Sequence, residues 1–363
     1  MTEKLDIEKL DRYMQQKKID PQGLVWYDPA QGIFKVEGLY WFEKEKRYHR
    51  FPIAPSPCPN EKVLTLASCT AGGQIRFRTD SCRIVISARN TTAKGSNNMA
   101  EAGVRGFDLY TGTPGREVFW NTAFPVAGSD TYISEIFTDD EKVMREFRFN
   151  FPLYNGVKEL AIALDEGAEL LPPSPLAVKS PVVIYGTSIT QGGCASRPGT
   201  AFTNRLSRAL QAEFLNFGFS GNGSNDPETA QIVSSVENPA LFIIDSEANS
   251  ISAELVRERV PRFLDILRAK HPETPILIVT KVPYGPRYAK EIPVLKEEFR
   301  KIYLERKESG EKNIYFLDGW SFWDPADTEN NVDGAHPNDR GFALMAEKLE
   351  PVIRELLQQY GHL

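Results

Sequence analysis

The second half of the chain sets the tightest limit on the fold. From Pro181 onward five short apolar runs, VVIYG, LNFGFS, ALFIIDS, PILIVTKV and NIYFLDG, alternate with stretches of helical periodicity over residues 200–213, 227–236, 253–270, 294–307 and 338–360. The runs are long enough for strands and too short for helices. Strands that alternate with helices pair in parallel, because each crossover returns the chain to the same end of the sheet, and the helices then cover both faces. An α/β domain is therefore expected over residues 181–363. Ligands of such sheets lie beyond the carboxyl ends of the strands, so the chemistry is sought there.

The first half reads differently. FKVEGLYWF, LTLASC, QIRFRTD, CRIVISAR, GFDLYTG and EFRFNFPLY alternate apolar with polar residues between turn-forming residues, the pattern of an all-β sandwich or jelly roll over residues 1–172. Leu5, Ile7, Leu10 and Met14 stand near helical spacing and predict a short leading helix. Between the halves, LLPPSPLAVKSP carries four prolines that deny ladder hydrogen bonds, which predicts a linker at residues 173–180.

Composition removes several classes of function. With 41% hydrophobic and 25% charged residues the chain is globular. A net charge of -6 without a Lys/Arg block offers no footprint for nucleic acid or an anionic membrane. The apolar runs are too short to span a bilayer, and the opening MTEKLDIEKLDRYMQQKK has no apolar secretory core, so a cytoplasmic location is expected. Cys58, Cys69, Cys82 and Cys194 show no C-x-x-C spacing, which predicts buried thiols rather than a zinc knuckle or a disulfide scaffold.

Directly after VVIY comes Gly186-Thr187-Ser188-Ile189-Thr190-Gln191-Gly192-Gly193, which sets a serine at a strand's carboxyl end in a glycine-flanked turn. A serine hydroxyl is a poor nucleophile at neutral pH, and its usual activator is a histidine oriented by a carboxylate. The chain has four histidines. His49 lies among sandwich residues, His271 precedes Pro272 at a turn, and His362 is next to the carboxyl terminus. His336 sits in Asn331-Val332-Asp333-Gly334-Ala335-His336-Pro337-Asn338, after the last strand, with Asp333 three residues upstream. Ser188, His336 and Asp333 are the candidate nucleophile, base and orienting acid.

These residues resemble the SGNH or GDSL-like hydrolases, a resemblance covering about the last half of the chain. It implies a flavodoxin-like αβα domain that hydrolyses carboxylic esters. The G-D-S-[LI] block appears as Gly186-Thr187-Ser188-Ile189, with Thr187 in place of aspartate, and D-x-x-H-P is matched without gaps by Asp333 to Pro337. The glycine block matches Gly221 and the asparagine block matches Asn249, although the usual G-x-N-D wording is absent around Asn249. The resemblance implies an oxyanion hole of the Ser188 N–H, the Gly221 N–H and the Asn249 side-chain amide. Gly106-Phe107-Asp108-Leu109-Tyr110 resembles the G-x-D-L-Y signature of a domain that precedes certain bacterial SGNH hydrolases, often enzymes of acetylated sugars.

Plainer roles stand beside these. Gly221 suits a turn, Asn249 the N-cap of the following helix, and Asp333 a turn or cap. Arg197 and Cys194 are candidates for the cleft entrance or for an exposed arginine and a buried thiol. Trp320 and Trp323 are candidates for a sugar-stacking wall or for the core. Asp108 and Tyr110 are expected to hold a turn and the sandwich core. GTSITQGG lacks the lysine of a phosphate loop.

The expectation is a serine esterase acting on a small-molecule or acetylated saccharide substrate, most specifically a carbohydrate O-acetyl esterase. A lipase or thioesterase and a noncatalytic sugar-binding protein are the alternatives. Acyl transfer by this set needs no metal or cofactor. Activity is expected to fall at acid pH in the ordinary histidine range, roughly 6 to 7. The whole catalytic set is expected after the linker, with the first domain as a wall that selects the alcohol.

Overall fold

The alternating pattern of the first half folds into two antiparallel sheets. This computed structural model describes residues 19–288 and 294–363, so the expected leading helix lies outside the described residues. The strands are β1 (Leu24–Tyr27), β2 (Lys35–Glu37), β3 (Gln74–Thr79), β4 (Arg83–Asn90), β5 (Phe107–Thr111), β6 (Val118–Ala123), β7 (Thr131–Thr138), β8 (Arg145–Asn150), β9 (Val157–Asp165) and β10 (Leu170–Leu171). One sheet has the order β1-β9-β4-β7; the other runs β10-β3-β8-β5-β6, with β2 also paired to β3. Ile84, Ile86 and Ile162 of the first sheet meet Phe77, Leu109 and Phe149 of the second in one core.

Two segments read as strands fold otherwise. LTLASC lies mostly in a helix, Glu61–Ala67, because Asn60 caps it by accepting the Val63 N–H at 3.0 Å and because Val63 and Ala67 bury one face at i, i+4 spacing. FKVEGLYWF keeps only β2, since Gly38 turns the chain at φ 78° and passes so close to Gly72 that a Cβ would meet its carbonyl oxygen at 2.0 Å.

In the second half, β11 (Val178–Gly186), β12 (Ala212–Gly218), β13 (Leu241–Asp245), β14 (Ile276–Val279) and β15 (Ile314–Leu317) pair in parallel in the order β12-β11-β13-β14-β15. Val182 and Ile184 face the helices Phe202–Leu210 and Asp339–Gln359. Val183 and Tyr185 face Pro227–Val233, Ala253–Lys270 and Lys296–Glu308. The sheet is thus apolar on both sides, which is why its strands read as continuous apolar runs. No helix among the described residues is long and apolar enough to cross a membrane.

The sandwich closes the open edge of this sheet. An edge strand presents unpaired carbonyls, and on β12 those of Asn216 and Gly218 are taken by the guanidinium of Arg50, which also donates to Cys69 and Leu66 carbonyls. Arg50 is fully buried, and burial pulls its pKa down to about 10, still charged at neutral pH. Around it the first half enters both faces of the α/β core: Ala71 and Leu153 join one cluster, and Phe51, Val63 and Ala67 the other. The proline segment is fastened too, by Arg78 to the Pro172 carbonyl at 2.8 Å and by Arg76 to that of Ser174.

Candidate active site

Ser188 opens the short helix Ser188–Gln191 immediately beyond β11. The turn is held by reciprocal caps: Thr187 Oγ1 accepts the Ile189 N–H at 3.3 Å, and Thr190 Oγ1 accepts the Thr187 N–H at 3.0 Å. Thr187 thus supplies the capping oxygen that an aspartate would otherwise offer. Thr190 in turn donates to Asp245 at 2.8 Å, which fastens the turn to the end of β13. No side chain fits at Gly186, where a Cβ would meet Thr190 Oγ1 at 2.0 Å.

The loop before the last helix brings the other two candidates to this turn. The Ser188 hydroxyl lies 2.9 Å from His336 Nε2, and His336 Nδ1 lies 2.8 Å from Asp333 Oδ2. The three-residue spacing works because the loop folds back on itself: Asp333 Oδ1 accepts the backbone N–H groups of Ala335 at 3.0 Å and His336 at 2.8 Å. Burial alone would raise the Asp333 carboxyl, but the His336 N–H and imidazole, the Ala335 N–H and the Asn98 amide outweigh it and hold it at about 2. Such a carboxylate stays ionised at any working pH. It can orient the imidazole and stabilise positive charge there without taking the proton.

The candidate oxyanion donors come from the next two strand ends. Gly221 adopts φ 66°, a left-handed turn that favours glycine, and its N–H makes no hydrogen bond among the described residues. Asn249 ends a 3₁₀ turn, Glu247–Asn249, and accepts the Gly223 N–H through Oδ1 at 2.9 Å, leaving its Nδ2 as the donor end. Gly223 itself passes against the nucleophile turn, where a Cβ would meet the Gly186 carbonyl oxygen at 2.5 Å. The following helix is capped by Ser252, so the capping role considered for Asn249 belongs to another residue. Glu247 explains the unusual wording of this block: buried, it accepts the Lys281 N–H at 3.0 Å and the Leu295 N–H at 2.8 Å, fixing the turn that carries Asn249.

Of the other candidates only Cys194 is placed beside the triad atoms. Arg197 lies in the junction, donating to Asp108 and to the Tyr110 hydroxyl at 2.7 Å each with its guanidinium 3.7 Å from the Phe119 ring centroid. Asp108 also accepts the Gly199 N–H at 2.7 Å. The G-x-D-L-Y residues therefore grip the α/β half as well as packing in the sandwich. Trp323 is buried in the α/β core, and Trp320 is half-buried. Cys194 is buried with its sulfur, the imidazole and the Asp333 carboxylate offering ligand atoms within 4.8 Å of one another. Burial, with Asp333 beside it, pushes this thiol up to about 12, and both nitrogens of His336 are already engaged, so the geometry serves a proton relay better than a metal ion.

Sequence reasoning missed two contacts that the first half makes with these residues. Asn98 donates to Asp333 Oδ2 at 2.9 Å, and the Tyr154 hydroxyl donates to the Ser188 carbonyl at 3.1 Å. No local signal marks either residue, because each is defined by a contact across the junction.

A serine, imidazole and ionised carboxylate in line at the strand ends of a parallel sheet define the serine-hydrolase class of α/β protein. The chain belongs to the GDSL-like lipase/acylhydrolase family, here with a GxDLY domain ahead of it. A GDSL-like lipase/acylhydrolase family model matches residues 179–354, and a model described as the N-terminus of Esterase_SGNH_hydro-type matches residues 24–170. A Bacteroides ovatus protein described as a GDSL-like lipase is 30% identical over 92% of this chain and 98% of its own, with TM-score 0.83. A salicylyl-acyltransferase from a tetracycline biosynthetic pathway shares 18% identity over 92% of this chain and 98% of that one, TM-score 0.74. A Clostridium thermocellum family two carbohydrate esterase shares 14% over 87% and 99%, TM-score 0.59. These last two share the fold. No curated protein matches significantly.

Proposed function

We propose that this hydrolase is a serine esterase using Ser188, His336 and Asp333, and that its substrates are O-acetylated carbohydrates. The Ser188–His336–Asp333 hydrogen-bonded relay supports the esterase reading above all. Ser188 Oγ attacks the ester carbonyl as His336 accepts its proton; the tetrahedral oxyanion is met by the Ser188 and Gly221 N–H groups and the Asn249 amide; His336 then protonates the departing alkoxide, and water repeats the sequence on the acyl-enzyme. A small acyl group suits a serine that is only 7% exposed. The carbohydrate reading draws support from distant structural neighbours that are carbohydrate esterases, among them one described as an acetyl xylan esterase.

Acetate release from a panel of acetylated oligosaccharides, beside acetate-to-octanoate esters of one chromogenic alcohol, tests it. Activity falling with acyl length and highest on the saccharides is expected; a preference for octanoate would make the enzyme a lipase or thioesterase. Asn249→Ala is expected to lower kcat by about a hundredfold with a smaller change in KM, because a bond to developing negative charge strengthens only in the transition state. A raised KM at unchanged kcat would move Asn249 to substrate binding. With Asp333 ionised down to about pH 2, it supplies no acid limb near neutrality. A flat profile between about pH 8 and 4.5 would remove His336 as base.

A further inference from the structure

Asn98 belongs to the sandwich, 235 residues before Asp333, yet its side-chain amide lies 2.9 Å from that carboxylate. The oxygen it reaches, Oδ2, is the one that faces His336 Nδ1. Its own orientation is set locally: Asn98 Oδ1 accepts the Ser96 hydroxyl at 2.8 Å, which turns Nδ2 toward Asp333. The loop is pinned at its base by the buried Asn155, which accepts the Thr91 hydroxyl at 2.8 Å and donates to the Thr92 carbonyl at 3.0 Å.

We propose that Asn98 is a positioning residue for the triad, so that the active site is completed across the junction between the two halves. The proposal rests on the triad reading given above. Each oxygen of Asp333 then carries two donors, which fix the plane of the carboxylate and therefore the ring it orients. A second donor on Oδ2 also withdraws electron density from the oxygen facing the imidazole, which keeps the proton on Nδ1 and leaves Nε2 as the base.

Full-length Asn98→Ala, Asn98→Asp and Ser188→Ala are compared with wild type for kcat, KM, the pH dependence of kcat/KM and melting temperature. Asn98→Ala is expected to lower kcat about tenfold with KM changed less than about twofold, on the scale seen when a group orienting a reacting side chain is removed. Asn98→Asp keeps the size of the side chain but sets a second negative charge by the imidazole, so the acid limb is expected to move upward by about one pH unit. A structural role alone would lower the melting temperature and leave that limb in place. Wild-type kcat and an unmoved acid limb in both Asn98 variants overturn the proposal while the triad stands, provided Ser188→Ala is inert. An active Ser188→Ala overturns the triad reading itself, and with it this one.

Discussion

Ser188→Ala is expected to lose at least about a thousandfold in kcat on every accepted ester while melting at the wild-type temperature, a loss of about 4 kcal/mol in transition-state stabilisation. The size follows from the chain of contacts. His336 Nε2 at 2.9 Å and Asp333 beyond it act only through the Ser188 oxygen, so removing that atom disables all three. Stability is spared because the turn is held by Thr187, Thr190 and Asp245, none of which uses the Ser188 hydroxyl. His336→Ala is expected to match it, and Asp333→Asn to be comparable or milder. A folded Ser188→Ala protein with near-normal turnover in a steady-state assay would sink the mechanism.

The largest expected effect on stability comes from Arg50. Arg50→Met takes this donor away from the carbonyls of Asn216 and Gly218 on β12 and of Cys69, while that of Leu66 keeps the Cys69 N–H, at a cost of at least about 3 kcal/mol when each unsatisfied group costs about 1 to 3. A denaturant midpoint within experimental error of wild type would show the clamp to be dispensable. For the same reason residues 176–363 expressed alone are expected not to yield a soluble folded protein. They would expose the β12 edge and the apolar surfaces that Phe51, Ala71 and Leu153 cover. Recovery of a cooperatively melting fragment would count against a shared core.

The α/β half was legible because its signals are local. Apolar runs separated by helix-length segments give the sheet, and the helix Ala253–Lys270 appears where its periodicity predicts it. The meeting of Ser188, Asp333 and His336 was legible because a strand-end serine and a D-x-x-H-P loop carry their spacing with them. The junction was not. Arg50 reads as one more charged residue among sandwich strands, and only the fold reveals that its donors match the carbonyls of an edge strand 166 and 168 residues away. Asn98 sits in TTAKGSNNMA, a polar loop with nothing to distinguish it from a solvated turn. Arg197 was open to two readings, the cleft entrance or an exposed arginine, and no local signal showed that its charge is met by Asp108 in the sandwich. LTLASC misled because alternation over a few residues also fits one face of a short helix, and Asn60 decided between them.

The junction also sets the order in which a newly made molecule becomes complete. Ribosomes add about 5 to 20 residues per second, so on the order of ten to fifty seconds pass between the synthesis of Asn98 and that of Asp333, 235 residues later. Until β12 arrives, Arg50 keeps its bonds to the Cys69 and Leu66 carbonyls but lacks those to Asn216 and Gly218, and the apolar side chains around it are uncovered. Premature termination shortly before Asp333 would leave a product with its nucleophile made and its carboxylate missing. The final segment closes the interior and brings Asp333 and His336 to Ser188 in the same step.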